Sequence, residues 1–235
     1  MAFTEWILVL AMTTGVGIPL GLPPAAEDPF LVQSAPDNGL YYAMWVESRE
    51  PQADSTYPLE RLLAEPELRT FVKNAVAEAE AFLHRSAAED NSKQTQALVD
   101  LGVSLSRRAF KGPGMMFVNT FEMTEAGPQV EAGVVLGVDD GKGFIEQINR
   151  AVELVMEVRP TTRDIEGTTF YSVSFEDPAP SVSWGIVDSH LVVGVGEGSI
   201  EGILARSKTP APGWYKAARR QAGISRMATI GYLNL

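Results

Sequence analysis

Gln129–Met156 reads QVEAGVVLGVDDGKGFIEQINRAVELVM, and the change of period inside this stretch decides the fold. Val130, Ala132, Val134, Leu136 and Val138 alternate along its first third, as in a strand with one covered side. At Asp139-Asp140 the period changes from two to between three and four. Phe144, Ile145, Ile148, Ala151, Val152, Val155 and Met156 then mark one stripe of a helix, which must end before Pro160. One of the two aspartates caps that helix, because a carboxylate there accepts from the free amides of the first turn.

Upstream, MMFVNTFEM (Met115–Met123) makes a second strand, paired with the first through TEAGP. Two helices precede it. Pro66 suits a first helical position, where no amide is lost, and Leu68, Phe71, Val72, Ala75, Ala79, Phe82 and Leu83 follow as an amphipathic stripe. Ser92–Phe110 carries Leu98, Leu101, Leu105 and Ala109 on one side and stops at KGPG. Before these, LYYAMWV (Leu40–Val46) reads as a buried strand and Glu47–Pro58 as a loop. Downstream come strands at Thr168–Phe175, Val182–Val187 and Leu191–Val195, with Asp188-Ser189-His190 as a hairpin turn. Short helices follow around Ile200, Ile203 and Leu204 and at Trp214–Arg220, and RMATIGYLNL reads as a closing strand. Successive strands with interspersed helices, without regular βαβ alternation, predict an α+β fold: a mainly antiparallel sheet with helices packed on one face. The chain stops inside an apolar run at Leu235, so the domain is read as incomplete at its C-terminal end.

The N-terminus differs from everything after it. No charged side chain occurs among the 21 residues from Trp6 to Ala26. Such a run is a signal peptide, with Ala25 or Ala26 as the cleavage edge, or an uncleaved anchor about long enough to span a bilayer. The start, MAFTE, lacks the basic residues of a signal, and Gly15, Gly17, Pro19 and Pro23 weaken a spanning helix. An apolar strand or buried N-terminal helix is the structural alternative. The domain reading is therefore residues 1–26 as signal or membrane anchor, 27–39 as a polar linker, and 40–235 as the α+β domain. The expected location is the periplasm or cell envelope, with membrane association through residues 1–26.

Composition bounds the chemistry. At 235 residues, with 45% hydrophobic and 21% charged, the chain can bury a sizeable core. A net charge of −11 argues against nucleic acid as a partner, since phosphate contacts need clustered cations. The basic doublets Arg107-Arg108 and Arg219-Arg220 fall on helices and read as solvated faces. There is no cysteine, which excludes disulfides, thiolate catalysis and cysteine-held metals.

Each motif that suggests chemistry falls short of it. GVDDGKG (Gly137–Gly143) is one residue short of a phosphate loop, and Gly143 stands where the magnesium-binding hydroxyl belongs. GVGEGS (Gly194–Ser199) has Ser199 in place of the third glycine of a dinucleotide loop and reads as a tight turn. The two histidines, His84 and His190, read as surface residues, with no GxSxG elbow to support a triad. The carboxylate pairs Glu78/Glu80, Glu89/Asp90, Asp139/Asp140 and Glu176/Asp177 lack calcium-loop spacing and read as caps, turns and solvated faces. Trp45, Trp184, Trp214, Tyr41, Tyr42 and Tyr171 could line a groove, but aromatic strand residues usually fill cores. No catalytic, cofactor-binding or metal-binding residue is assigned, and no cofactor is expected. The function reading is a non-enzymatic binding or structural module of the envelope; the alternative is an extracytoplasmic hydrolase using paired carboxylates.

The segments PDNGLYYAMWV, LLAEPEL, VVLGVDDGKGFIEQI, IEGTTFYSV, WGIVDSHLVVGVGEGSIEGIL and ATIGYLNL, taken in order, resemble a family of exported bacterial proteins of unknown function. The resemblance spans Asp37 to Leu235 and rests on the order of elements more than on any one motif. It implies an envelope location and an α+β fold, and it carries no site residues over to this chain.

Overall fold

The computed structural model describes residues 22–90, 92–125, 127–175, 179–223 and 226–234. The strand–turn–helix unit is present as read: β3 (Gly127–Gly137) leads through Asp139-Asp140 into α5 (Gly141–Met156). Asp140 is the cap, its Oδ1 accepting from the amide of Gly143 at 2.9 Å. The remaining elements, in chain order, are α1 (Pro29–Ser34), β1 (Tyr41–Trp45), α2 (Pro58–Ala64), α3 (Pro66–Glu89), α4 (Lys93–Lys111) and β2 (Gly114–Thr124). After α5 come β4 (Thr161–Ile165), β5 (Thr168–Val173), β6 (Val182–Val187), β7 (His190–Val195), α6 (Ser199–Ser207), α7 (Gly213–Ala222) and β8 (Thr229–Leu233).

The eight strands form one sheet in the order β4-β5-β6-β7-β3-β2-β1-β8, and every neighbouring pair is antiparallel. The fold is α+β, as the succession of strands predicts. The helices, however, cover both faces rather than one. Leu191 and Val193 of β7 point to α5, where they meet Ile148, Phe144 and Trp184. Val192, between them, points the other way to Ile200, Ile203 and Leu204 of α6, with Leu31 of α1 and Tyr215 of α7 in the same core. The physical reason is the run Leu191-Val192-Val193: alternation puts its residues on opposite faces, and all three are apolar.

Residues 27–39 are no linker. Asp28 caps α1, its Oδ1 accepting from Phe30 at 2.9 Å and Leu31 at 3.3 Å, and Pro29 loses no amide at the first helical position. Leu31 is then fully buried in the core. The domain also begins before residue 40. The amide of Ala25 donates to the Glu47 carbonyl at 3.0 Å and that of Arg49 to the Pro23 carbonyl at 2.9 Å. Residues 1–21, the bulk of the predicted signal or anchor, lie outside the described residues.

Two further elements escape the sequence reading. Helix α2 begins where the expected loop ends, in a stretch given no element, and β4 is an edge strand of largely exposed residues with no alternation to reveal it. The hairpin turn between β6 and β7 is Asp188-Ser189, with φ of 46° and 65°, so His190 opens the strand instead of turning the chain.

Candidate functional site

Helix α2 is built inside out. Its carboxylate Glu60 is 4% exposed, while Leu59 and Leu62 are 50% and 47% exposed. Glu60 accepts from Ser55 Oγ at 2.8 Å, from the Gln52 amide at 3.4 Å and from Arg49 Nη2 at 3.2 Å. These partners, the Ser55 hydroxyl foremost, hold its carboxyl below the usual glutamate range. The carboxylate thus folds residues 49–55 around itself and commits the polar side of α2 inward. The leucines are left facing out.

Helix α3 follows after the single residue Glu65. The predicted helix is present, but its stripe packs on nothing described along most of its length. Phe71 is 68% exposed and Phe82 61%, with Val72, Ala75 and Ala79 also exposed. Only the last turns are held, where Leu83 and Ala87 pack on Val99 and Val103 of α4. A mainly apolar cavity of about 420 Å³ opens at the α2 end, lined by Leu22, Pro23, Tyr57, Leu59, Leu63 and Ala228 among others.

A second cavity, of about 490 Å³, lies where α3, α4 and α5 meet and holds His84, Asp100, Arg107, Arg108, Lys111 and Asp139. Most of these charges are tied to each other. Arg107 grips Glu80 with both Nε and Nη2, at 2.6 and 2.5 Å, which lowers the Glu80 carboxyl and raises the guanidinium. Arg108 pairs with Asp139 at 2.7 Å and donates to the Gly137 carbonyl, fastening α4 to the β3–α5 turn. His84 and Asp100 approach to 3.5 Å, both well exposed. Arg107 is thus ion-paired on an exposed helix face, as read, while Arg108 is largely covered and serves the fold; Arg219 of the other doublet pairs with Glu27 at 3.0 Å.

His190 is not the surface residue the sequence reading expects. It is 7% exposed; its Nε2 lies 2.9 Å from Asp28 Oδ2, and its Nδ1 2.8 Å from the Asp188 carbonyl. A carbonyl can only accept, so Nδ1 donates to it. When the ring is protonated, Nε2 donates to the carboxylate, and both partners favour that imidazolium form. Burial pulls its pKa down, but Asp28 and the backbone carbonyls outweigh that, and the net shift is upward. Asp28 moves the opposite way: burial raises it, and His190 with the α1 amides brings it below the usual range. The ring stacks on Phe30 at 4.6 Å between centroids. With both nitrogens turned to these partners, His190 fastens α1 to β7. What sequence reasoning lacked was the partner, 162 residues away.

The paired carboxylates do not converge. Glu78 binds Arg85 at 2.9 Å, Asp90 accepts from Thr95 at 2.5 Å, and Asp139 and Asp140 serve the turn described above. Glu176 and Asp177 lie outside the described residues. Among the described residues, no group of three or more histidine or acidic side chains is arranged to hold a metal ion. GVGEGS is a tight turn: Gly196 has φ of 90°, and a Cβ there would lie 1.6 Å from the Val130 carbonyl oxygen. Trp45, Trp184 and Tyr42 are core residues, each at most 2% exposed. Among the described residues, no helix is long and apolar enough to cross a membrane. Comparison of the chain with protein-family models, curated proteins and solved structures returned no match.

Proposed function

We propose that this chain is an exported, envelope-associated protein that works by binding, and that its binding surface is the apolar face of α2 and α3. The observation that carries the reading is the orientation of these helices: Glu60 is buried while Leu59, Leu62, Phe71 and Phe82 face water. Exposed apolar area of this kind, carried on two consecutive helices, is what a partner groove or helix buries on association. Among the polar groups singled out as chemical candidates, His190 and Asp140 are engaged within the fold.

The charge-free segment from Trp6 to Ala26 and the resemblance to exported bacterial proteins support the envelope location. The hydrogen bonds of residues 23–25 to residues 47–49 favour a tethered form that keeps this segment. The test is the intact mass of the native protein from membrane, soluble envelope and cytosolic fractions. A full-length species in the membrane is expected. A soluble species shorter by about 25 residues would mean export with release. A full-length species confined to the cytosol would overturn the location, and turnover abolished by His84→Gln would overturn binding as the mode of action.

A further inference from the structure

We propose that the cavity where α3, α4 and α5 meet is a site for a small oxyanion, a phosphate or carboxylate group, held by donors that the fold leaves uncommitted. The site is separate from the apolar face of α2 and α3, and stands or falls independently of it.

One side of α4 builds most of the cavity. Asp100, Ser104, Arg107, Arg108 and Lys111 recur at steps of three and four, so their side chains share that side. His84 of α3, Asp139 and Phe144 of α5 complete the wall. The volume, about 490 Å³, falls within the range of small-molecule sites.

Charges that satisfy each other bind nothing further, so the donors left over decide what the cavity can hold. Arg108 is fully engaged: its three guanidinium nitrogens donate to Asp139 and the Gly137 carbonyl. Arg107 gives Nε and Nη2 to Glu80, which leaves Nη1. Among the described residues, the Lys111 ammonium has no ion-pair partner and the Ser104 hydroxyl no hydrogen bond. Nor is Lys111 needed to close the end of α4. The carbonyl of Arg108 accepts from the Gly112 amide at 2.8 Å, that of Lys111 from the Ser48 amide at 3.0 Å, and that of Gly112 from Trp45 Nε1 at 3.1 Å.

Donors at positions 104, 107 and 111 thus lie about one turn apart along a single helix face. An ammonium and a guanidinium carry no acceptor atom, so the ligand that complements them supplies oxygens and negative charge. Asp100 and Asp139 oppose it, but at 61% and 88% exposure they are screened by water. The net charge of −11 repels anions from the chain as a whole, and an oxyanion retained here is held by these local donors.

The test is an amide chemical-shift titration of the isotope-labelled full-length chain with inorganic phosphate and, separately, with succinate, at constant ionic strength. Saturable shifts at Ser104, Lys111 and Phe144 are expected in the low millimolar range with one probe or both, and the tighter probe names the group. Lys111→Gln should weaken binding about tenfold, the contribution of one charge-assisted hydrogen bond. Lys216→Gln, which removes an exposed lysine of α7, should leave it unchanged. Asp100→Asn should tighten binding severalfold by taking a like charge from the wall, a gain that a misfolded variant could not produce. Shifts that fail to saturate with either probe, or equal affinity in the wild type and Lys111→Gln, would overturn the proposal and leave an adventitious ion only.

Discussion

Helices α5 and α3 both carry apolar stripes, that of α5 the cleaner, and the fold treats them oppositely. In α5, Ile148 and Ala151 are buried, and Phe144, Ile145, Val152 and Met156 pack over Trp184 and Leu191. In α3, Phe71, Val72 and Phe82 remain in water over more than three turns. The periodicity of a helix states that it has an apolar face; it says nothing of what lies opposite. For α5 the opposing surface is supplied by β6 and β7, strands rich in Val, Ile, Leu and Trp. For α3 no strand or helix of the described chain supplies it, and the comparison locates the surface left for something else.

The sharpest way to break this contrast is to delete a side chain from each stripe. Ile148→Ala should cost about 2–5 kcal/mol in urea unfolding, because it leaves a cavity between α5 and the sheet. A cost below about 0.5 kcal/mol would mean that α5 is no better anchored than α3.

Next in size is the clamp on α1. Asp28→Asn keeps a good helix cap but removes the charge facing His190, and should cost about 1.5–3 kcal/mol at pH 6. The pH dependence has a definite sign. His190 titrates above its ordinary value in the folded protein, so its contribution is complete below about pH 6.5 and fades as pH rises through the folded pKa. Asp28 titrates low, so its contribution is complete above about pH 4 and fades as pH falls through its folded value. Stability curves for the wild type should therefore slope downward on the alkaline side, and Asp28→Asn should flatten that slope. An unchanged slope would assign the titration elsewhere.

The caps repeat the comparison on a smaller scale. Asp140 holds the first turn of α5, and Asp140→Ala should cost about 1 kcal/mol. Glu65, at the same position of α3, makes no side-chain cap bond, so Glu65→Ala should leave the unfolding midpoint unchanged. Equal costs would show that α3 is coupled to the cooperative core more tightly than its packing indicates.

The sheet was largely legible because its strands are long in apolar and β-branched residues, and the β3–α5 junction because an aspartate marks it. What escaped was short or tertiary. The Asp28-Pro29 pair is a helix-start signal, but six residues give no periodicity to confirm it. β4, TTRDI, has no apolar face because it lies at the sheet edge. Cover on both faces was written in the unbroken Leu191-Val192-Val193, yet the cleaner alternation of β3 suggested a single covered side. The candidate surface was half legible. The α3 stripe could be drawn from the sequence, but its exposure could not, since that depends on what packs opposite it. The inversion of α2 depends on Ser55 and Arg49 reaching Glu60, which no spacing rule anticipates.

The smallest expected effect bears most directly on the contrast. Phe71→Ser and Phe82→Ser should each change stability by less than about 0.5 kcal/mol, since neither ring is buried in the folded domain. A large aromatic ring kept in water has a cost in solubility, however, and both variants should remain monomeric at higher concentration than the wild type in light scattering. If either substitution instead destabilised the full-length chain by about 2 kcal/mol or more, as for a core aromatic ring, the ring must be covered in solution.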